Sequence, residues 1–326
     1  MHRRSILGAA ALPLLAAPAF APALAQAPWP ARQIRLIIPW PPGQSTDVQG
    51  RLMAAWLSDR LGQTVVPENR PGAGGQIGTN AVAKAAPDGY TILAASIGPI
   101  TFSPLVQRTP YDVERELAPV TIFGFAPFML LVKPGFPAQD VPAFIRLLQA
   151  NPGKYSHNSS GIGGAQHLVT ALFLAMAGLE ALHVPFQGSG PALAALLGGQ
   201  VDFAFDTPAA AGRLVRDGQL KALGITMGKP SAQVPGIPPL ASVGGPPQYD
   251  VAGWNGLMVQ AATPRPIIDR LAQEIISGMA VTEVRQRYEQ AGFDVDPQGP
   301  AQMAATLKSY RDLFGPIIRQ LGIRPE

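Results

Sequence analysis

The chain contains no cysteine. Disulfides, thiolate nucleophiles and cysteine-ligated metals are thereby excluded together. Charge is also scarce, with acidic and basic residues making up 14% of 326 positions, against about a quarter in an ordinary domain. A pI near 9.5 therefore reflects few charges in total rather than a basic surface. No Lys/Arg cluster with interleaved aromatics is present, which argues against nucleic-acid binding. Histidine occurs four times, never as H-E-x-x-H or another close ligand pair, so no metal site is expected. Beyond the N-terminus no apolar run approaches the ~20 residues that a bilayer span requires.

What is present begins with Met1–Ala27, which reads as a removable secretory leader. Arg3 and Arg4 precede an uncharged Ala/Leu stretch, and small residues follow, placing cleavage after Ala25 or Ala27. The paired arginines fit either twin-arginine or general export. Pro13, Pro18 and Pro22 interrupt the stretch and disfavour a retained anchor. Of 25 basic residues the leader holds two, leaving 23 against 21 acidic ones. A mature chain of this length buries enough surface to fold without staples.

Short apolar runs at 34–38, 64–66, 90–94, 128–132, 182–184, 202–205 and 222–225 predict buried strands. Amphipathic stretches at 48–61, 76–85, 141–150, 166–176, 191–197, 266–279 and 282–291 predict helices. Strands that alternate with helix-length segments point to mostly parallel sheets flanked by helices. Two zones, Pro119–Pro127 and Pro235–Pro247, suit crossings between domains. The expected layout is a first lobe of residues 28–125 plus 253–326 embracing a second lobe of residues 126–252, an arrangement that permits hinge closure.

Ile34–Ile38 runs directly into Pro39-Trp40-Pro41-Pro42-Gly43-Gln44-Ser45-Thr46-Asp47. A strand that ends in a Pro/Gly turn before a helix start aims free backbone N–H groups past the sheet, where anions settle. Gly43, Gln44, Ser45, Thr46 and Asp47 are thus candidate ligand contacts; the same residues equally suit an ordinary N-cap. The Asp47 carboxylate would repel a bound anion, so it either ties its own loop or meets a cationic part of the guest. A second donor-rich entrance lies at Ser159, Ser160, Gly161, Gly163, Ala165 and His167. Phe186, Gln187, Gly188, Asp206 and Thr207 stand at further strand ends and also fit helix-start grammar. Asn69–Gly75 reads as a structural turn or as cleft lining. A nucleophile pair of Ser159 or Ser160 with His167 is conceivable, but no G-x-S-x-G elbow accompanies it.

These residues resemble the substrate-binding proteins of tripartite tricarboxylate transporters, the Bug-type periplasmic receptors. The likeness runs in order through Trp29-Pro30, Ile34–Pro39, Pro42-Gly43 with Thr46-Asp47, Glu68–Gly75 and Ala83–Thr91. It continues through Ser159–Gly161, His183–Pro185, Gly188–Ala192 and Leu197–Asp202. The resemblance implies an α/β, two-lobed periplasmic binding protein, a type II-like "Venus flytrap", with no catalysis and no cofactor. It further implies a monomer that holds a small carboxylate at Gly43–Asp47 and Ser159–Ala165 and partners integral-membrane permease subunits. Two departures stand out. Gly43-Gln44 replaces the family's usual Gly-Gly, and Phe186-Gln187-Gly188 replaces Tyr-Lys-Gly, so cationic and hydroxyl donors are fewer and a monocarboxylate or amphipathic acid is favoured over citrate. The alternatives are a sensory receptor serving a membrane signalling partner and an exported Ser/His hydrolase.

Overall fold

Eleven strands gather into two sheets in the computed structural model, which describes residues 29–322. The expected leader lies outside those residues. In chain order the strands are β1 Ile34–Ile38, β2 Val65–Asn69, β3 Thr91–Ser96, β4 Leu117–Pro127, β5 Met129–Val132 and β6 Ser156–Ser159. They continue with β7 Leu182–Pro185, β8 Phe203–Asp206, β9 Lys221–Ile225, β10 Ala252–Gln260 and β11 Asp294–Gln298. The first sheet has the order β11-β4-β10-β3-β1-β2 and the second β7-β6-β8-β5-β9.

β1, β2 and β3 run parallel, as do β6, β7 and β8. Within each trio successive strands are joined through helices, as right-handed parallel connections demand. β10 lies antiparallel between β3 and β4, and β5 lies antiparallel between β8 and β9. Four of six strands in one sheet and four of five in the other therefore point the same way. Burial on both faces explains the near-continuous apolar runs: Ile34, Leu36, Ile37 and Ile38 are each fully buried.

One apolar cluster fills the space between β1, β3 and the helices Ser45–Leu61 and Arg265–Met279. A larger one is continuous from the first sheet into the second. It passes through the helices Ala165–Ala177 and Pro300–Leu321, where Phe314 packs edge-on to Phe102 with ring centroids 4.8 Å apart. On that side the two halves are welded by hydrocarbon.

The backbone passes between the sheets twice, at Phe128 between β4 and β5, and over residues 226–251 between β9 and β10. The fully buried Thr226 laces both passages together. Its N–H donates to the Phe128 carbonyl (2.9 Å), and its hydroxyl accepts from the Phe128 N–H (3.0 Å) while donating to the Val251 carbonyl (2.5 Å). The Val251 N–H returns to the Thr226 carbonyl at 2.9 Å. Thr226→Val preserves shape but leaves the Phe128 N–H and a Val251 lone pair unmet. Denaturant melts should show a loss of about 1–3 kcal/mol.

Candidate functional site

β1, β2 and β3 deliver the chain to one edge of the first sheet, and β6, β7 and β8 do the same in the second. Ligand crevices form at such carboxyl edges. Of the sixteen candidate residues from the sequence, Ser159 and Asp206 end β6 and β8, and the rest lie on the loops and helix starts that leave these edges.

In the first sheet, Gly43 turns with φ +84° and Gln44 is extended as the N-cap of Ser45–Leu61 without offering its side chain as a cap. The amides of Ser45, Thr46 and Asp47, the first three helical positions, therefore have no intrahelical acceptor. Gly43, Gln44 and Ser45 are exposed, whereas Thr46 and Asp47 are buried. The Thr46 hydroxyl donates to Asn255 Oδ1 on β10 at 2.8 Å, fixing the turn against the sheet. Asp47 Oδ2 accepts from the Gly43 N–H at 2.9 Å, and Oδ1 accepts from Arg51 Nε (2.9 Å) and Asn69 Nδ2 (2.8 Å). Burial alone would push the Asp47 carboxyl up, but the Gly43, Asn69 and Arg51 donors outweigh it and hold it below the usual carboxylate value. Asp47 thus ties its own loop. Trp40 is pinned alongside, its indole N–H on Ser96 Oγ (2.9 Å) and its carbonyl on Asn69 Nδ2 (2.9 Å).

In the second sheet, Gly164 is an extended N-cap of Ala165–Ala177, again without a side-chain cap. Gly161 and Gly163 take φ of +141° and +71°, which shapes the turn. Ser160 Oγ lies 2.5 Å from Gln166 Oε1, and Gln166 Nε2 reaches Ser189 Oγ (3.0 Å) and Asp206 Oδ1 (3.4 Å). One amide therefore joins the loops after β6, β7 and β8. Phe186 is half-buried, with its N–H on the Ser159 carbonyl (3.0 Å); Gln187 is exposed, and Gly188 (φ +108°) opens the helix Ser189–Leu197. Thr207 caps the helix Pro208–Arg216 with its own hydroxyl.

The three histidines of the described chain form a stack. His167 and His183 lie 3.8 Å apart between centroids with planes 7° apart, and His157 continues the column 5.0 Å from His183. His167 Nδ1 accepts the Gly163 N–H at 3.0 Å, so that nitrogen carries no proton. His183 Nε2 meets Ser159 Oγ at 2.7 Å. Burial, assisted by the neighbouring His183, depresses His157 to about 3 and His167 to about 4; burial lowers His183 as well. The conceivable pair of Ser159 or Ser160 with His167 is not formed: Ser160 bonds Gln166, and Ser159, 1% exposed, bonds His183. Neither Gln166 nor Ser189 was among the candidates, although both fall in first turns of helices already suspected.

Besides the shared core, the halves also approach each other at Gly163 and Gly292. A Cβ on Gly163 would lie 3.2 Å from Val106 Cγ2, and one on Gly292 would lie 3.3 Å from Ala209 Cβ. Two concavities elsewhere, one around Gln233 and Glu289 and one around Arg108 and Tyr111, share no lining residue with either entrance. Among the described residues no helix is long and apolar enough to cross a membrane.

Residues 50–323 match the model of the tripartite tricarboxylate transporter family receptor, and the chain belongs to that family. Protein BugT of Bordetella pertussis is 34% identical over 298 residues, spanning 91% of both chains. A solved structure from R. palustris with adipate superposes with a TM-score of 0.78 at 30% identity, covering 91% of this chain and all of that one. MatC from Rhodopseudomonas palustris with bound malate gives 0.74 at 28%, covering 89% and 100%. The fold is thus that of the periplasmic binding proteins of this family.

The depressed histidines carry a pH signature. A base with a lowered folded value binds its proton more readily when unfolded, so its stabilising effect is lost as pH falls from 6.5 toward that value. For His167 the window runs from 6.5 to about 4, and the loss approaches roughly 3 kcal/mol. Thermal midpoints should fall over this window. His167→Asn keeps an acceptor for Gly163, and the slope should flatten.

Proposed function

We propose that this protein is a periplasmic solute receptor that holds a small carboxylated organic acid between its two sheets and delivers it to the permease subunits of a tripartite tricarboxylate-type transporter. The observation that carries this reading is the uncapped start of Ser45–Leu61, where three amides have no intrahelical acceptor at the crevice edge. Opposite it stands a second entrance built from uncharged groups at Ser159–Ala165, with Phe186–Gly188 and Asp206–Thr207 alongside. Family membership and the adipate and malate complexes of its structural neighbours support a carboxylate guest.

In this reading the guest carboxylate sits on the amides of Ser45, Thr46 and Asp47, with Gln44 over it and Asp47 positioning the turn from behind. Hydrogen bonds to a charged group contribute roughly 1.5–3 kcal/mol each. Three or four of them, offset by ordering and desolvation, amount to about −8 kcal/mol, a micromolar affinity. No reacting group is needed for that task.

The test removes one amide without disturbing the helix. Proline is favoured at the first helical position, and Gln44, with ψ of 158°, already has the conformation that a residue before proline requires. Ser45→Pro should leave the melting midpoint of the empty protein within a few degrees. Calorimetry against a panel of organic acids should show affinity falling about tenfold or more. Unchanged affinity would place the guest elsewhere.

A further inference from the structure

Three acidic side chains of the described chain are buried: Asp47, Asp206 and Glu274. Asp47 is paired with Arg51, and Glu274 with Arg60 and Arg270. Asp206, 3% exposed at the tip of β8, forms no ion pair among the described residues. Its Oδ1 accepts from the Thr207 N–H (2.8 Å), Ser189 Oγ (3.2 Å) and Gln166 Nε2 (3.4 Å). Its Oδ2 accepts nothing from the described residues. Buried carboxylates are normally completed by a partner, and here the chain supplies only half of the required set.

The three donors come from the starts of three helices, Ala165–Ala177, Ser189–Leu197 and Pro208–Arg216. Their positive ends therefore converge on the protein's own carboxyl. The first sheet is arranged differently, because Asp47 is neutralised by Arg51 and the amides of its helix stay free. Burial raises the Asp206 carboxyl above its ordinary value, and a second carboxylate close by would raise it further, at the cost of the like-charge contact.

We infer that Asp206 is a specificity-determining residue: it excludes a second carboxylate from the far half of the crevice and accepts a hydrogen bond there from a guest hydroxyl or protonated amine. The inference rests on the receptor reading above and narrows its substrate class to monocarboxylates bearing such a donor at the other end. Selectivity of this kind uses a repulsive element as well as an attractive one.

Calorimetry on the exported chain would compare succinate and adipate with the ω-hydroxy and ω-amino acids of the same carbon number. Wild type should bind the hydroxy or amino acid about tenfold or more tightly than the matched diacid. Asp206→Asn keeps an acceptor for Thr207, Ser189 and Gln166 and should collapse that ratio by raising diacid affinity, with little change in melting midpoint. Equal wild-type affinity for diacid and hydroxy acid overturns the inference, and this comparison stands even if the variant folds poorly. A ratio retained in well-folded Asp206→Asn overturns it as well. If no acid in the panel binds wild type at all, the receptor reading itself fails, which is a different result from binding without preference.

Discussion

The first amides of a helix have no carbonyl to bond, and at the carboxyl edge of each sheet a helix begins without a side-chain cap. β1 and β6 each end at such an edge, pass through a glycine-containing turn and enter a helix whose N-cap offers no side chain. The interior only has to hold these starts in place. It does so with the large apolar cluster that runs through Phe102, Phe314, Phe173 and Tyr249, and with the single threonine that stitches the two chain crossings.

Much of this was legible in the residues. Ile34–Ile38 is a strand over the expected span because an all-apolar run bounded by Pro39 suits a strand buried on both faces. The helices after it were found from their apolar spacing and placed within three residues of their observed starts. The missed elements have identifiable causes. β10 contains Gly253, Asn255 and Gly256, which break an apolar run, yet it occupies the middle of the first sheet because those small residues fit against β4. The helix Pro300–Leu321 went unread because Gly315-Pro316 resembles a stop signal, although the helix continues through it.

At the crevice, the loops could be located by local grammar but their wiring could not. Asp47 with Asn69, Thr46 with Asn255, and Gln166 with Ser189 and Asp206 join residues far apart in sequence. The histidine column is the clearest instance. Three imidazoles on β6, β7 and the intervening helix are invisible as a unit until the parallel register sets His157 beside His183. Similarly, Asp47 and Asp206 look alike as acids at strand ends. Their surroundings differ: Asp47 is paired with Arg51, whereas Asp206 takes its bonds from the starts of three helices.

Gly163 and Gly292 bear on how closely the two halves approach. At each, a bare hydrogen stands where any other residue would project a carbon into the opposing half. At these two points the halves approach within van der Waals distance. A side chain at either position would press on the opposing half, so these two glycines set how closely the halves can come together there.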